Sequence, residues 1–367
     1  MRWRFSASAL AVAGLILTGA ALAARPTAWQ WTLSGALPDG VAQPVVPADN
    51  PMRKAKVALG RRLFYEADLS VDGTMSCATC HGQRDSFSDG AVTHPGVTGK
   101  AGLRNVPSLV NVAWASPLTW ADPRLKTLED QVHVPVTGDD PVEMGMKGQE
   151  VEITRRLSTN DCYRKLFKAA FPQEKGRIDL ATVSKALAAF QRTMVSYETP
   201  WDHARAGGPA LPAPATRGAT LFAGKAGCAN CHEGANFSDN MLHPFATTPR
   251  DTGAARASGR AEDQGLFRTP SLRNVALTAP YLHDGSVRTV SAAIARHGIV
   301  LDATEETDIL AFLDGQGLSK YDMPEFFIAV DDIPLTASGK IRKRDIAEQI
   351  AAGQLQPAAI RWQAKAG

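Results

Sequence analysis

Two copies of the motif Cys-x-x-Cys-His, at residues 77–81 and 228–232, use four of the five cysteines in this chain. This spacing is typical of c-type haem attachment, in which two thiols bond to the haem vinyl groups and the adjacent histidine binds the iron. Two zinc or redox Cys-x-x-Cys sites, each followed by a chance histidine, are the alternative. Because both copies lie in a repeated sequence context, we predict two haem c groups.

The haem thiols and axial histidines predicted from these motifs are the first set of candidate site residues. They are Cys77, Cys80 and His81 for the first haem, and Cys228, Cys231 and His232 for the second.

The N-terminus indicates export. A short basic region at residues 1–4 is followed by a largely apolar run over residues 9–22 and by a small-x-small sequence ending at Ala23. We interpret residues 1–23 as a signal peptide and the protein as periplasmic, without stable membrane insertion after cleavage; an uncleaved anchor is the alternative. A net charge of +3 gives no reason to expect a nucleic acid partner.

The chain contains an internal repeat, with one haem motif in each copy. The segments at 60–64, 86–89 and 107–113 are matched by those at 218–222, 236–239 and 270–276. We call residues 50–203 the first half and residues 217–319 the second half. They are preceded by an extension (24–49), separated by a Gly/Pro/Ala linker (204–216) and followed by a tail (320–367).

Helical periodicity predicts helices over residues 54–64, 179–195 and 305–313. Few segments alternate with a period of two, and the 31 glycines and 23 prolines suit the irregular loops that wrap a haem. The fold class we predict is therefore mainly α, with two tandem cytochrome c-like haem domains and a short α/β-type fragment in the tail.

The two halves differ at matched positions. Trp120 in the first half corresponds to His283 in the second, and Pro135 corresponds to His297. Proline cannot bind iron, so we infer that the second haem is six-coordinate through His232 and His297 and that the first has an open position. His243, Met241 and His283 are rival ligands for the second haem, and His94 is a candidate sixth ligand of the first in a resting state.

An open haem that binds peroxide needs an acid or base to move a proton between the two oxygens. Glu143 is the best candidate in the first half, and an ordinary loop carboxylate is the equally weighted alternative. Gln131 is a candidate for holding a distal water, and the indole of Trp120 for relaying electrons between the haems.

These residues resemble the bacterial dihaem cytochrome c peroxidase and MauG superfamily over residues 50–315. The segments that carry the resemblance are 103–109, Trp120, 128–131, 143–145 and 278–285. The resemblance implies a peroxidase-type oxidoreductase in which Glu143 is catalytic. It also implies a calcium ion held by Asn105 and by backbone oxygens of Thr278 and Pro280, since Ca²⁺ prefers hard oxygen ligands.

Histidine at position 297 distinguishes this chain from the usual peroxidases, which carry methionine there, and from MauG, which carries tyrosine. The combination resembles the methanobactin-associated branch of MauG-like enzymes. It implies that hydrogen peroxide oxidises a partner protein, for example at a tryptophan of a copper-binding protein. Two alternatives remain: reduction of peroxide to water with electrons from a small cytochrome or cupredoxin, and a non-catalytic electron-transfer cytochrome with both irons six-coordinate.

Two further features lie outside this scheme. Residues 320–367 resemble the C-terminal end of acyl-CoA synthetases, with Lys340 matching their adenylate-contacting lysine. The tail is too short to form a secure core, so we predict no ligase activity. Cys162, the cysteine without a haem motif, is predicted to be a buried structural thiol.

Overall fold

A computed structural model describes residues 40–245 and 250–315, together with 37–38, 247, 326–327, 348–350, 352–354 and 358–359. Helices dominate the described part of the chain. The α-helices there are α1 (Lys54–Phe64), α2 (Cys77–Cys80), α3 (Leu128–Gln131), α4 (His133–Thr137), α5 (Glu150–Thr159), α6 (Asp161–Ala170), α7 (Leu180–Gln191), α8 (Pro200–Arg205), α9 (Ala213–Ala223), α10 (Ala255–Ser258), α11 (Val290–Arg296) and α12 (Ala303–Asp314).

The strands are short and few within the described ranges. Strands β1 (Leu242–Pro244) and β2 (Leu266–Arg268) pair antiparallel, with Leu242 opposite Arg268. Strands β3 (Phe326–Phe327) and β4 (Ala358–Ala359) form a second antiparallel pair in the tail. The mainly α prediction is therefore confirmed.

The three predicted helices are present. α1 has the predicted bounds, and α12 contains the predicted residues 305–313. α7 begins at Leu180 because Asp179 caps it: the Asp179 carboxylate accepts from the backbone N–H of Thr182 at 2.8 Å. It ends at Gln191, four residues earlier than the hydrophobic periodicity predicts.

Each half has its own apolar cluster. In the first half, α1, α6 and α7 bury Leu59, Phe64, Phe167 and Leu187 together. In the second half, Phe222, Phe237, Ile309 and Phe312 are buried together, with the rings of Phe222 and Phe312 packed edge to face at 5.3 Å. Burial of such side chains stabilises a domain by about 2 kcal/mol each.

A glycine lets the two main helices of each half cross closely. In the first half, α1 contacts α7 at Gly60, where a Cβ atom would overlap the carbonyl oxygen of Ala186. In the second half, α9 contacts α12 at Gly218, where a Cβ atom would overlap the carbonyl oxygen of Asp308. The matched glycines of the sequence repeat thus occupy matched helix crossings.

The loops around the two haem motifs also repeat. In each half, serine hydroxyls donate to backbone carbonyls across the loop, and an asparagine adopts a left-handed conformation. The bonds are Ser88 to Val106 (2.7 Å) and Ser108 to Ser86 (2.5 Å) in the first half, and Ser238 to Thr269 (2.6 Å) and Ser271 to Asn236 (2.7 Å) in the second; the asparagines are Asn111 and Asn274.

Polar side chains link the two halves. The guanidinium of Arg104 makes two 2.7 Å hydrogen bonds to the carboxylate of Asp251, which is 2% exposed. The amide of Asn111 donates to Asn236 at 3.0 Å, and the hydroxyl of Tyr197 donates to the same oxygen at 2.9 Å. These contacts hold segments that are far apart in sequence.

Two details differ from expectation. Cys162 is exposed, so its prediction as a buried thiol is wrong; it lies in the first turn of α6, whose buried side is formed by Tyr163 and Phe167. The 204–216 linker is shorter than its composition suggests, because α8 extends to Arg205 and α9 begins at Ala213.

Two predicted segments lie largely outside the described residues: the signal peptide, and most of the tail that resembles acyl-CoA synthetases. In the part of the chain that the structure does describe, we find no helix with the length and apolar character needed to cross a membrane.

The crossing at Gly60 yields a stability prediction. Helix propensity alone would make Gly60→Ala stabilising by about 1 kcal/mol. We expect instead a loss of about 1–3 kcal/mol in the free energy of unfolding, because the added methyl group meets the α7 backbone. Chemical denaturation of the haem-loaded protein measures this, with the exposed Arg61→Ala as a control near zero. A stabilised Gly60→Ala variant would contradict the crossing.

Candidate active site and haem-binding cavity

The first haem motif presents a histidine with one nitrogen free for a metal. Cys77 and Cys80 lie on the single-turn helix α2, and His81 follows it directly. The Nδ1 of His81 is 2.8 Å from the carbonyl oxygen of Phe87. A carbonyl can only accept, so Nδ1 carries the proton and Nε2 keeps its lone pair. Burial lowers the pKa of His81, which favours the neutral, metal-binding form.

The second motif has the same arrangement. Residues Cys228–Asn230 form a 3₁₀ turn, and the Nδ1 of His232 donates to the carbonyl oxygen of Phe237 at 3.0 Å. Burial lowers the pKa of His232 to about 4, so its imidazole is neutral at physiological pH.

His297 faces His232. It directly follows the last residue of α11. Its Nδ1 donates to the carbonyl oxygen of Ala293 at 2.7 Å, which again leaves Nε2 available. The ring centres of His232 and His297 are 6.4 Å apart. Because an imidazole nitrogen lies about 2 Å from the transition metal it binds, two imidazoles that share one metal have ring centres about 6 Å apart. The pair fits an iron held between two histidines.

A largely apolar cavity of about 530 Å³ surrounds this pair. Cys228, Cys231, His232 and His297 line it, and so do apolar side chains from both halves. Such a lining suits a flat, apolar porphyrin bonded through two thiols. The residues fit the second haem c.

Two of the three rival ligands of the second haem, His243 and His283, also line this cavity. Nε2 of His243 is 2.6 Å from the carboxylate of Asp239, and Met241 is 61% exposed. The ring of His283 is buried and stacked on Phe267, with 3.8 Å between ring centres. Among these four candidates in the described part of the chain, only His297 has a ring in contact with that of His232, and the two rings meet edge to face.

The position matched to His297 in the first half has a different role. Thr127 caps α3 and Thr289 caps α11 in the same way, each accepting from the backbone N–H three residues later. Eight residues after Thr127, Pro135 lies in α4, and its carbonyl oxygen accepts from the backbone N–H of Met144 at 2.9 Å. The structure therefore ties Pro135 to the loop that carries Glu143.

Glu143 lies near the first haem motif. Burial and, to a smaller extent, the negative charge of the nearby Glu143 together raise the pKa of the Cys77 thiol to about 12. Burial also raises the pKa of Glu143 itself, opposed by the charge of His94. The Glu143 carbonyl accepts from Val97 at 2.8 Å. A buried carboxyl group with a raised pKa can both donate and accept a proton near neutral pH.

His94 and Gln131 belong to the same half. The Nδ1 of His94 is 2.9 Å from the carboxylate of Asp89, which anchors this ring by one nitrogen. Gln131 is half-buried and is the last residue of α3.

Trp120 connects segments of both halves. It is 9% exposed, its Nε1 donates to the carbonyl of Asn105 at 2.8 Å, and its own carbonyl accepts from Arg268 at 2.7 Å. It also lines the cavity around His232. The Trp120 side chain thus lies in the cavity wall where segments of both halves meet.

The predicted calcium ligands come together at the same cavity, which Asn105, Thr278 and Pro280 all line. The Nδ2 of Asn105 donates to the carbonyl of Ala91 at 2.9 Å and is 3.3 Å from that of Val92. Its side-chain oxygen is therefore the atom available to a cation.

Two arginines of this region are not predicted from the sequence as functional residues. Arg104 belongs there only to the 103–109 segment, whereas in the structure it forms an ion pair with the buried Asp251. Arg268 was not singled out, although the repeat offered a signal: it lies two residues before Pro270, where the first half has the uncharged Asn105 before Pro107.

Known proteins with a similar sequence identify the family. Residues 54–209 match the family of di-haem cytochrome c peroxidases. The methylamine utilization protein MauG of Methylorubrum extorquens is 37% identical over 252 residues, which cover 68% of this chain and 70% of that protein. The cytochrome c551 peroxidase of Pseudomonas aeruginosa is 31% identical, over 72% of this chain and 79% of its own. The chain belongs to the dihaem cytochrome c peroxidase and MauG family.

A solved structure extends the likeness to the fold. A MauG-like protein associated with microbial copper homeostasis superposes with a TM-score of 0.76 at 36% identity, covering 81% of this chain and 97% of that one. The family resemblance found in the sequence is thus confirmed. This dihaem peroxidase family member is an oxidoreductase of the peroxidase type with two haem groups.

The facing histidines give a test of ligation. If His297 is the second axial ligand, His297→Met should raise the reduction potential of the low-spin haem, because methionine ligation favours ferrous iron. Spectroelectrochemical titration measures both haems separately. His243→Met is the matched control and should leave both potentials unchanged. A shift caused by His243→Met instead of His297→Met would reverse the assignment.

Proposed function

We propose that this protein is a periplasmic MauG-like enzyme that uses hydrogen peroxide to oxidise a partner protein. The proposal depends on a difference between the two halves at one matched position. His232 has an imidazole facing it at 6.4 Å, whereas the matched position in the first half is Pro135. A haem iron with an open position binds peroxide, and a six-coordinate one passes electrons.

In this proposal the thiols of Cys77 and Cys80 hold the first haem, and His81 is its axial ligand. Cys228 and Cys231 hold the second haem. The axial ligands of the second haem are His232 and His297. Each of these three imidazoles is aimed by its Nδ1–H bond to a backbone carbonyl.

Glu143 is the acid/base in the proposal. Its carboxylate would take a proton from one peroxide oxygen and return it to the other, so that the O–O bond could break with loss of water once two electrons are supplied. Burial suits this task, because it raises the pKa of Glu143 above its ordinary value and so makes the carboxylate a stronger base. Gln131, in the same half, is proposed to hold a distal water.

Two electrons must be supplied for each peroxide that is reduced to water. Trp120 is proposed to relay electrons between the haem sites. It lines the cavity around His232 and is hydrogen-bonded to segments of both halves. The ultimate donor would be a side chain of a partner protein that never enters the haem cavity. The structural neighbour associated with copper homeostasis favours a copper-binding protein as this partner. Tryptophan is proposed as the oxidised residue because of the resemblance to the methanobactin-associated branch.

Simple peroxide reduction is the second candidate, because several relatives are named cytochrome c peroxidases. Its donor would be a small cytochrome or cupredoxin. A pure electron-transfer role would require a sixth ligand on the first iron as well, for which His94 is the candidate. Calcium at Asn105, Thr278 and Pro280 is proposed as a structural ion in either enzyme.

The spin states of the ferric protein separate an enzyme from an electron carrier. We expect one high-spin and one low-spin signal in low-temperature EPR, and loss of both on adding peroxide. Two low-spin signals that remain unchanged after peroxide is added would exclude catalysis at the first haem.

The role of Glu143 predicts a large kinetic effect. Glu143→Gln should slow the reaction with peroxide by about 10²–10⁴-fold, since an amide cannot transfer the proton. Stopped-flow absorbance measures the rate, and two haems per chain should remain attached. The exposed Glu198→Gln is the control and should react at the wild-type rate. An unchanged rate for Glu143→Gln would remove this residue from the mechanism.

The donor is tested with the peroxide-oxidised protein. We expect it to decay slowly with reduced cytochrome c and to oxidise a tryptophan in a periplasmic copper-binding protein encoded in the same organism, detected by peptide mass spectrometry. Rapid decay with reduced cytochrome c and an unmodified copper-binding protein would favour simple peroxide reduction.

A further inference from the structure

Arg268 is a buried cation at the edge of the second haem cavity. It is the last residue of β2, is 7% exposed and lines the cavity together with His232 and His297. Its backbone N–H donates to the carbonyl of Trp120 at 2.7 Å, and its Nε donates to the carbonyl of Thr119 at 3.2 Å. The side chain therefore runs past the Trp120 segment into the cavity wall.

The charge of Arg268 is not matched by a carboxylate in the described part of the chain. Other arginines of low exposure are paired: Arg104 with Asp251 at 2.7 Å, Arg192 with Glu129 at 2.8 Å and Arg273 with Asp202 at 2.6 Å. Burial lowers the pKa of Arg268 to about 10, with no acidic neighbour opposing it. An unpaired buried charge is costly, so a built anionic partner is expected at this place.

We propose that Arg268 binds a propionate carboxylate of the haem attached at Cys228 and Cys231. The cavity is lined by the two haem-attaching cysteines and by the two facing histidines, so it suits a porphyrin. A haem porphyrin carries two propionate groups, and these are carboxylates. A guanidinium fork binds a carboxylate through two parallel hydrogen bonds. With Nε bonded to Thr119, the terminal nitrogens of Arg268 are the donors available for this contact.

This contact would act on one haem only. In the repeat, the first-half counterpart of Arg268 is Asn105, whose amide donates to backbone carbonyls and carries no charge. A cation beside a haem edge offsets the propionate charge and favours the ferrous state, in which the iron centre has one positive charge less. Arg268 would thus raise the potential of the second haem relative to the first.

The contact would also fix the haem edge against the proposed relay. The same residue that binds the propionate donates to the carbonyl of Trp120. Movement of the porphyrin in its plane would then be coupled to the backbone of the indole. Arg268 is in this sense a positioning residue.

The test compares Arg268→Gln, which keeps a hydrogen-bond donor without charge, with Arg268→Lys, which keeps the charge. We expect Arg268→Gln to shift the low-spin haem to a lower reduction potential and to leave the high-spin haem in place, while Arg268→Lys remains near wild type. The exposed Arg124→Gln is the control and should move neither potential. Unchanged potentials in Arg268→Gln, or an equal shift of both haems, would overturn the proposal.

A measurement on the wild-type protein keeps the proposal testable if Arg268→Gln does not retain both haems. Resonance Raman spectra of the low-spin haem should show a propionate bending mode that shifts in D₂O, because guanidinium hydrogens exchange. A mode insensitive to exchange would overturn the contact. The inference rests on the proposed seating of the second haem, not on partner oxidation. A low-spin haem that survives with an unshifted potential would defeat only the Arg268 contact.

Discussion

The hydrogen bond from a histidine Nδ1 to a backbone carbonyl governs the rest of this structure. In His81, His232 and His297 it settles which ring nitrogen carries the proton and which way the other nitrogen points. For His81 and His232 the accepting carbonyls belong to Phe87 and Phe237, which both adopt a left-handed conformation in loops. For His297 the acceptor is Ala293 within α11. Backbone geometry, set by the loop sequence, thereby decides where a metal can be held.

Similar scaffolds in the two halves support different chemistry. Gly60 and Gly218 permit the same close helix crossing, and Thr127 and Thr289 cap equivalent helices. Two differences at matched positions bear on the chemistry of the sites. Pro135 in place of a histidine, and Asn105 in place of Arg268, change the available ligands and the local charge without changing the frame around them.

Much of this could be predicted from the sequence because the repeat is strong. The haem motifs, the helices containing Gly60, Leu187 and Ile309, and the contrast between His297 and Pro135 all follow from residue identity and spacing. The exposure of Cys162 did not follow, because the side of a helix that is buried depends on what packs against it. The missing partner of Arg268 also could not be predicted, since an ion pair joins residues that the sequence leaves far apart.

The position of Trp120 has a consequence for how the chain is assembled. Its cluster contains Ala121 from the first half with Ala254 and Phe267 from the second, and Arg104 reaches across 147 positions to Asp251. Neither half forms this apolar cluster alone, because its contacts join residues that are far apart in sequence. A chain that ended before residue 250 would lack Ala254 and Phe267 and would leave the indole of Trp120 without these neighbours. Burial of the indole therefore requires both repeats to be folded together.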